Sequence, residues 1–524
     1  MPQTELPNAA IADALQELGD LYELDGAIVH RVLAYRAAAK TVREASVSVA
    51  ALARAGRASE LPGIGRTLQE KILALLATGT IPSAERLRAK FPPGLVAITR
   101  LPGVGPKRVR LLHSELGIES PEQLRQAALS QRLRSVRGLG AKFEESVLEA
   151  LQSGAGAAVG PDGAPQRLLL PRAIELGEAL VAGLQASGGP GTHVQLAGSA
   201  RRLSDSVKDL DLIATTTTRP SALAKSLGSL AEVESVTSAS RSGARARAHV
   251  GVGIGVRIAK PAQLGNLLQH FTGSGAHNAA LREGAVRRGL HVSEYGLLDD
   301  ATARTRTCGT EAELYGLLGL AYIEPELREN RGELEAAREG AGELPNLLSL
   351  ADIRGDLHCH TIASDGHNTI AEMAAAARER GYEYLAITDH SASHGFGNDV
   401  SPDQLRRQIE LVRGANARLE GIELLAGSEV NVLPDGSLDY EHGLLAELDW
   451  VIASVHTAFA IGEQAMTERV IAAIEHPLVD AIGHPTGRLI GRRAPYAIDL
   501  DAVFAAAART GTLLEINANP DRRD

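Results

Sequence analysis

The chain has 524 residues, 44% of them hydrophobic but only 3% aromatic, and a formal net charge of −10. That length excludes a single ordinary domain, the acidic balance argues against a simple basic coat for nucleic acid, and two cysteines, Cys308 and Cys359, exclude a disulfide framework and fit a reducing compartment. The opening MPQTELPNAA has neither the basic nor the apolar region of a signal peptide, and no apolar run approaches the ~18 residues of a membrane span.

Residues 8–58 read as helices, with apolar residues at helical spacing through IADALQELGDLYEL and IVHRVLAYRAAAKTV. A repeat follows. LPGIG at 61–65 opens RTLQEKILALLATG, LPGVG at 101–105 opens PKRVRLLHSELG, and a weaker VRGLG at 136–140 opens AKFEESVLEALQSG. The glycines Gly63, Gly65, Gly103 and Gly105 allow positive φ and close backbone approach, and the helix start after each turn points free N–H groups at an anion. Residues 51–110 hold eleven Lys/Arg, Lys107 among them, and three Asp/Glu, a local excess of eight positive charges. A phosphate-binding face and a solvated helical surface both fit that excess. GAGAAVGPDGAPQ at 154–166 reads as a flexible linker.

Residues 167–325 mix helices and strands. In GSARRLSDSVKDLDLIATT, at 198–216, a small turn with Ser199 opens a helix carrying Arg201 and Arg202, and a strand then presents Asp209 and Asp211. Strand alternation puts both carboxylates on one face, where they can hold Mg²⁺ for in-line phosphoryl displacement. FTGSGAHNAALREGAVRRGLHVSEYGL, at 271–297, is a second distinctive block. A charged, Ala/Glu-rich stretch at 322–348 leads into the last third. There GDLHCH, YLAITDH, LLAGSEV, WVIASVH and VDAIGHP end strand-like runs on His358, His360, His390, Glu429, His456 and His484, with Asp365 nearby. Ligating side chains at the C-terminal ends of successive strands point to a parallel barrel with its site at the top face. Imidazole and carboxylate together suit Zn or Mn. His367, His394 and His442 lie close by but off the pattern.

These motifs resemble those of the family X DNA polymerases, and the whole chain resembles their bacterial form with a C-terminal polymerase-and-histidinol-phosphatase (PHP) domain. The resemblance implies a multidomain protein. An all-α helix-hairpin-helix region would comprise a lyase-like domain at 1–80 and a DNA-binding domain at 81–153. After the linker at 154–166 would come an α+β nucleotidyltransferase palm at 167–262 and a small thumb-like subdomain at 263–325. A linker at 326–350 would lead to an α/β, distorted TIM-like (β/α)7 PHP barrel at 351–524. It implies a cytoplasmic, nucleoid-associated, monomeric enzyme of DNA repair that binds gapped, nicked or 3′-ended duplex DNA and dNTPs, and no membrane. Its activities would be DNA-directed DNA polymerase with Mg or Mn, Mn-dependent 3′→5′ exonuclease, and a deoxyribose-phosphate lyase using Lys71, for which a plain solvated lysine is the other reading. Tyr35 would then stack on the sugar.

By the same resemblance Ser199 and Arg202 would contact the nucleotide's β/γ-phosphates, Asp209 and Asp211 the catalytic metals, Phe271 and Gly273 the sugar, Asn278 the base and Arg282 the template, with His270 where an aromatic is frequent. His358, His360 and Glu429 would share one PHP ion, Glu429 and His456 a second, and Asp365, His390 and His484 a third, two or three Mn or Zn ions in all. Two departures stand out. Gly255, in Ile254–Gly255–Val256–Arg257, occupies the place of a third catalytic aspartate. The sequence also reaches Asp524 before the Asp-x-His strand that completes the first and third sites, so a barrel incomplete at its C-terminus is expected. The expected protein is a repair enzyme with limited synthesis. A PHP nuclease with the palm as a binding platform, or a non-catalytic DNA-binding scaffold, are the alternatives.

Overall fold

The computed structural model describes residues 6–524 except 100, 102–103, 137, 153–166, 218, 339–342 and 396–397. Gly103 and the expected linker 154–166 therefore lie outside the described residues. The chain forms two compact units, Met1–Leu344 and Pro345–Asp524.

The first unit opens with helices Asn8–Leu24, Val29–Glu44, Val49–Arg54, Arg66–Thr78, Pro82–Arg88, Pro93–Thr99, Pro106–Leu116, Pro121–Leu129 and Ala141–Gln152. Although two helical domains were expected, their apolar faces share one core that runs from Ile11 through Ile72 and Val109 to Val147. The hairpin turns are built from outside in. Ile64 and Val104 are buried plugs, while Gly65 and Gly105 precede the first helical turns and a Cβ there would meet nothing. Gly63, at φ +74°, is the position that backbone conformation restricts to glycine.

The palm carries a five-stranded sheet made of β1 (His193–Leu196), β2 (Asp209–Thr215), β3 (Val233–Ser240), β4 (Gly243–Ala248) and β5 (Gly253–Ala259), in the spatial order β1-β2-β5-β4-β3. β2 and β5 are parallel, with Asp211 in register with Gly255. Leu210, Leu212, Ile254 and Val256 point into the core, as the alternation predicts. The thumb-like part places helices Leu264–Thr272 and Gly275–Val286 beside a three-stranded antiparallel ribbon at 290–306.

The expected linker at 326–350 is different in its first half. Leu334 and Ala337 join the thumb core, Arg328 is fully buried and paired with Glu311, and Glu333 lies 2.6 Å from the buried His277. Two charges of the expected linker, Arg328 and Glu333, are thus in internal pairs. Removing Glu311 would leave Arg328 buried and unpaired, at a cost of about 3–5 kcal/mol.

The second unit is a parallel sheet of six strands in chain order: β6 (Gly355–Cys359), β7 (Tyr384–Ile387), β8 (Glu423–Asn431), β9 (Trp450–Ser454), β10 (Ala481–Ile482) and β11 (Leu513–Leu514). Helices such as Ile370–Glu379, Pro402–Asn416, Glu463–Ile474 and Leu500–Thr510 connect them. Among the described residues six strands of the expected seven are present. The sheet curls until the ends of its first and last strands meet, with His358 Nδ1 2.7 Å from Glu515 Oε1. No helix among the described residues is long and apolar enough to cross a membrane.

Candidate functional site

In the second unit the seven expected ligands converge. Glu429, 1% exposed, sits among five imidazoles: Oε1 lies 3.3 Å from His358 Nε2, 3.1 Å from His456 Nε2 and 2.9 Å from His484 Nε2, and Oε2 lies 2.8 Å from His390 Nδ1 and 3.3 Å from His360 Nε2. Asp365 approaches His360 Nδ1 at 2.6 Å and His390 Nε2 at 3.7 Å. Donor atoms that could share an ion form three groups: His358, His360 and Glu429; His360, Asp365 and His390; and His390, Glu429 and His456. His484 was expected beside Asp365 and His390. It lies instead against Glu429, with its ring centre 5.9 Å from that of His358.

The electrostatics ask for positive charge at this place. Burial opposes ionisation of Glu429, yet His358 and His456 hold its carboxyl well below the usual range. Burial likewise opposes charge on His358, yet Glu429 and Glu515 push it up to about 10. His390 is pushed up to about 9 against its burial by Asp365 and Glu429. Buried Nε2 of His360, Nδ1 of His390, His456 and His484, and Oε2 of Glu429 have no partner in hydrogen-bond geometry, despite contacts as short as 2.8 Å. Buried polar atoms left so are costly, and divalent cations beside Glu429 would satisfy those that face it, Nε2 of His360, Nδ1 of His390 and Oε2 of Glu429. The residues present therefore fit a bound metal cluster.

Three neighbours were not among the expected ligands. Glu515 bridges His358 and the His484 N–H, the latter at 2.6 Å. His394 is 1% exposed, stacks on His390 with ring centres 4.1 Å apart and pairs with Asp399. The third is Asp389. The signal for Glu515 was present, since LLE also ends a strand, but that strand is only two residues long. His367 and His442 are exposed and outside the cluster.

The palm site is sparser. Asp209 and Asp211 share a face of β2, and Gly198, at φ +62°, lets the Gly198–Arg201 turn approach. A Cβ at Gly198 would stand 2.5 Å from Asp211 Oδ2. Burial, then Asp209, raises the Asp211 carboxyl to about 6, opposed by Arg257 and Arg202. Beside the pair, β5 offers only Gly253 and Gly255, and a Cβ at Gly255 would have Asp211 Oδ1 at 3.4 Å as its near neighbour. A side chain there would point at Asp211 without obstruction.

Ser199 is half-buried on its turn. Arg202 is held by Glu329 at 2.6 Å and the Thr272 carbonyl at 2.8 Å, and Arg201 by Glu311. Asn278, expected at a base, is 8% exposed and donates to the carbonyls of His270 and Gly273. A Cβ at Gly273 would stand 2.6 Å from Asn278 Oδ1, so the glycine serves this turn. Arg282 is exposed, 3.2 Å from His270 Nδ1, and Phe271 lies under Arg257.

In the helical region Lys71 donates to the Ser83 hydroxyl at 2.9 Å, while Tyr35 is 6% exposed and packs on the Tyr22 ring. Part of the basic excess is matched internally, by Arg57–Glu60, Arg66–Glu70, Arg88–Glu17 and Lys90–Asp25. Lys107 is exposed on the helix after the second hairpin.

Comparisons with known proteins give matches along the chain. Family profiles match as a helix-hairpin-helix domain at 6–81, a SAM-like helix-hairpin-helix tandem at 96–153, a DNA polymerase beta thumb at 267–329 and a PHP domain at 356–519. A protein of Bacillus subtilis named DNA polymerase/3′-5′ exonuclease PolX is 36% identical over 515 residues, 97% of this chain and 87% of its own length. Probable phosphatases of Thermoanaerobacter sp. and Syntrophotalea carbinolica are 38% and 35% identical, each over 31% of this chain and 63% and 64% of their own. With the hairpins, palm, thumb and PHP sheet in this order and a relative matched along nearly its whole length, the chain belongs to the family X DNA polymerases that carry a C-terminal PHP domain.

Proposed function

We propose that the protein is a monomeric DNA-repair enzyme that holds gapped or nicked duplex DNA, trims 3′ ends at the PHP cluster, and adds nucleotides from dNTPs at the palm only weakly. The observation that carries the trimming activity is the burial of Glu429 among five histidines, four of them with unsatisfied nitrogens. Two or three Mn or Zn ions bound there would supply Lewis-acid and hydroxide chemistry for phosphodiester hydrolysis. His358, His360 and Glu429 would hold one, His390, Glu429 and His456 another, and His360, Asp365 and His390 the third. Glu515 orients His358 and braces His484. A 5′-labelled duplex incubated with Mn²⁺ and no dNTPs should shorten from its 3′ end, and His358→Ala should stop this. Undiminished shortening by that variant would sink the assignment.

At the palm, Asp209 and Asp211 would hold Mg or Mn, which would supply charge neutralisation for phosphoryl transfer. Arg202 binds the triphosphate once it leaves Glu329. No side chain at Gly255 can take the proton of a primer 3′-hydroxyl, a form of help worth ~10²–10⁴ in rate. That observation favours the second reading, a nuclease whose palm binds nucleotide without extending primers. The hairpins weigh against a small-molecule phosphatase, and the relatives matched over 31% of the chain are named probable phosphatases without a substrate.

The lyase activity rests on Lys71. Its amine donates to the Ser83 hydroxyl, a bond that a Schiff-base nucleophile would have to release. Borohydride trapping on an abasic substrate decides it. An adduct lost in Lys71→Ala supports the lyase, and no adduct in wild type ends it.

A further inference from the structure

Asp389, 1% exposed, directly precedes His390 and belongs to none of the three ligand groups. Its Oδ1 accepts from the Thr361 N–H at 2.8 Å, the Ser364 N–H at 3.2 Å and the Ser364 hydroxyl at 2.6 Å. Its Oδ2 accepts from the Thr361 hydroxyl at 2.7 Å and Gln408 Nε2 at 2.7 Å. These bonds fill the acceptor capacity of a carboxylate, and hydrogen bonds to a charged acceptor are the strong ones. All but the Gln408 bond come from one turn, the stretch that joins His360 to Asp365.

That turn has little other freedom. Ser364 and Gly366 N–H groups both donate to the Thr361 carbonyl, at 3.2 and 2.9 Å, and Asn398 donates to the Ser364 carbonyl at 3.0 Å. A Cβ at Gly366 would stand 2.3 Å from the His360 carbonyl oxygen. His360 and Asp365 thus leave the two ends of a turn wound on Asp389, and His390 follows Asp389 in the chain. These three ligands offer donor atoms within 4.8 Å of one another.

We propose that Asp389 is the positioning residue for one ion of the PHP cluster, the one shared by His360, Asp365 and His390. By holding the Thr361–Ser364 turn it sets the spacing of donors that come from two strand ends. The inference rests on the metal reading of the cluster. A carboxylate that merely stabilises the fold would make the same bonds but would not discriminate among the ions.

The test uses the full chain, stripped by a chelator and titrated with Mn²⁺, with free Mn²⁺ followed by electron paramagnetic resonance and melting recorded in parallel. Asp389→Asn keeps the volume but turns an acceptor oxygen into a donor among donors. The ion at Asp365 should bind about 10–100-fold more weakly, the others, which share only His360 or His390 with it, by a clearly smaller factor, and 3′-end shortening should return at high Mn²⁺. Thr361→Val/Ser364→Ala, which removes the hydroxyl donors and keeps the carboxylate, should weaken the same ion most. Unchanged affinities in both variants would overturn the proposal. So would equal weakening of every ion with a lowered melting point, which marks a role in the fold alone. Wild-type protein that binds no Mn²⁺ would sink the metal reading itself, and this inference with it.

Discussion

The two catalytic regions of this chain solve the same problem, holding divalent ions near a phosphate, with opposite means. The PHP cluster is over-provided: one buried carboxylate, five imidazoles, a second carboxylate at Asp365 and a supporting Glu515, enough to hold ions without substrate. The palm offers two carboxylates on an open strand and a glycine where a third would stand. A protein cage of nitrogen and oxygen donors binds Mn or Zn tightly, whereas two carboxylates hold Mg only with help from water and phosphates. The difference teaches that the first site is a property of the protein, and the second a property of its complex with nucleotide and DNA.

The largest effect expected from this contrast is at Glu429. Glu429→Gln removes the charge common to two ligand groups, and nuclease activity should fall by about 10³-fold or more, the loss of several kcal/mol of metal-borne stabilisation. Primer extension should stay within twofold, and a parallel loss of both activities would break the separation of the sites. Next is pH. His358 and His390, raised to about 10 and 9, are protonated in the stripped site at neutral pH. Mn²⁺ must displace those protons, so its affinity should rise about tenfold per pH unit per proton released between pH 7 and 9. Calorimetry in buffers of different ionisation heat counts the protons, and none released would contradict the assignment.

Stability gives a smaller effect. Mn²⁺ at a hundred times its Kd should stabilise the PHP unit by about 2.7 kcal/mol, roughly 5–11 °C in Tm. A chelator should reverse this, and an unmoved transition would mean an empty cluster. The smallest effect is at the hairpins. Lys107→Ala should lower the slope of log affinity against log salt by about one, evenly across DNA sequences. An unchanged slope would remove Lys107 from the interface.

The ligand set was legible because parallel strands present their C-terminal residues to a common face, and a histidine at each such end survives any uncertainty in helix packing. The Gly255 departure was legible only through the family resemblance, which expects an aspartate there; its register with Asp211 is seen in the sheet. Other features depend on partners that spacing does not reveal. Asp389 gathers Thr361 and Ser364 from 28 and 25 residues away. Asn278 has the residue type of a base reader, but its amide is taken up by the Gly273 turn. Arg328 and Glu333 looked like a charged linker, because composition does not distinguish a solvated charge from a buried pair.

The most direct test is primer extension on a 5′-phosphorylated single-nucleotide gap with Mg²⁺ and dNTPs, comparing wild type with Gly255→Asp in a His358→Ala background that silences trimming. Slow extension by the background chain, raised about 10²–10⁴-fold by the aspartate and abolished by Asp209→Ala/Asp211→Ala, is the predicted result. Brisk extension without the aspartate, unchanged when it is supplied, would contradict the view that this palm lacks part of its machinery.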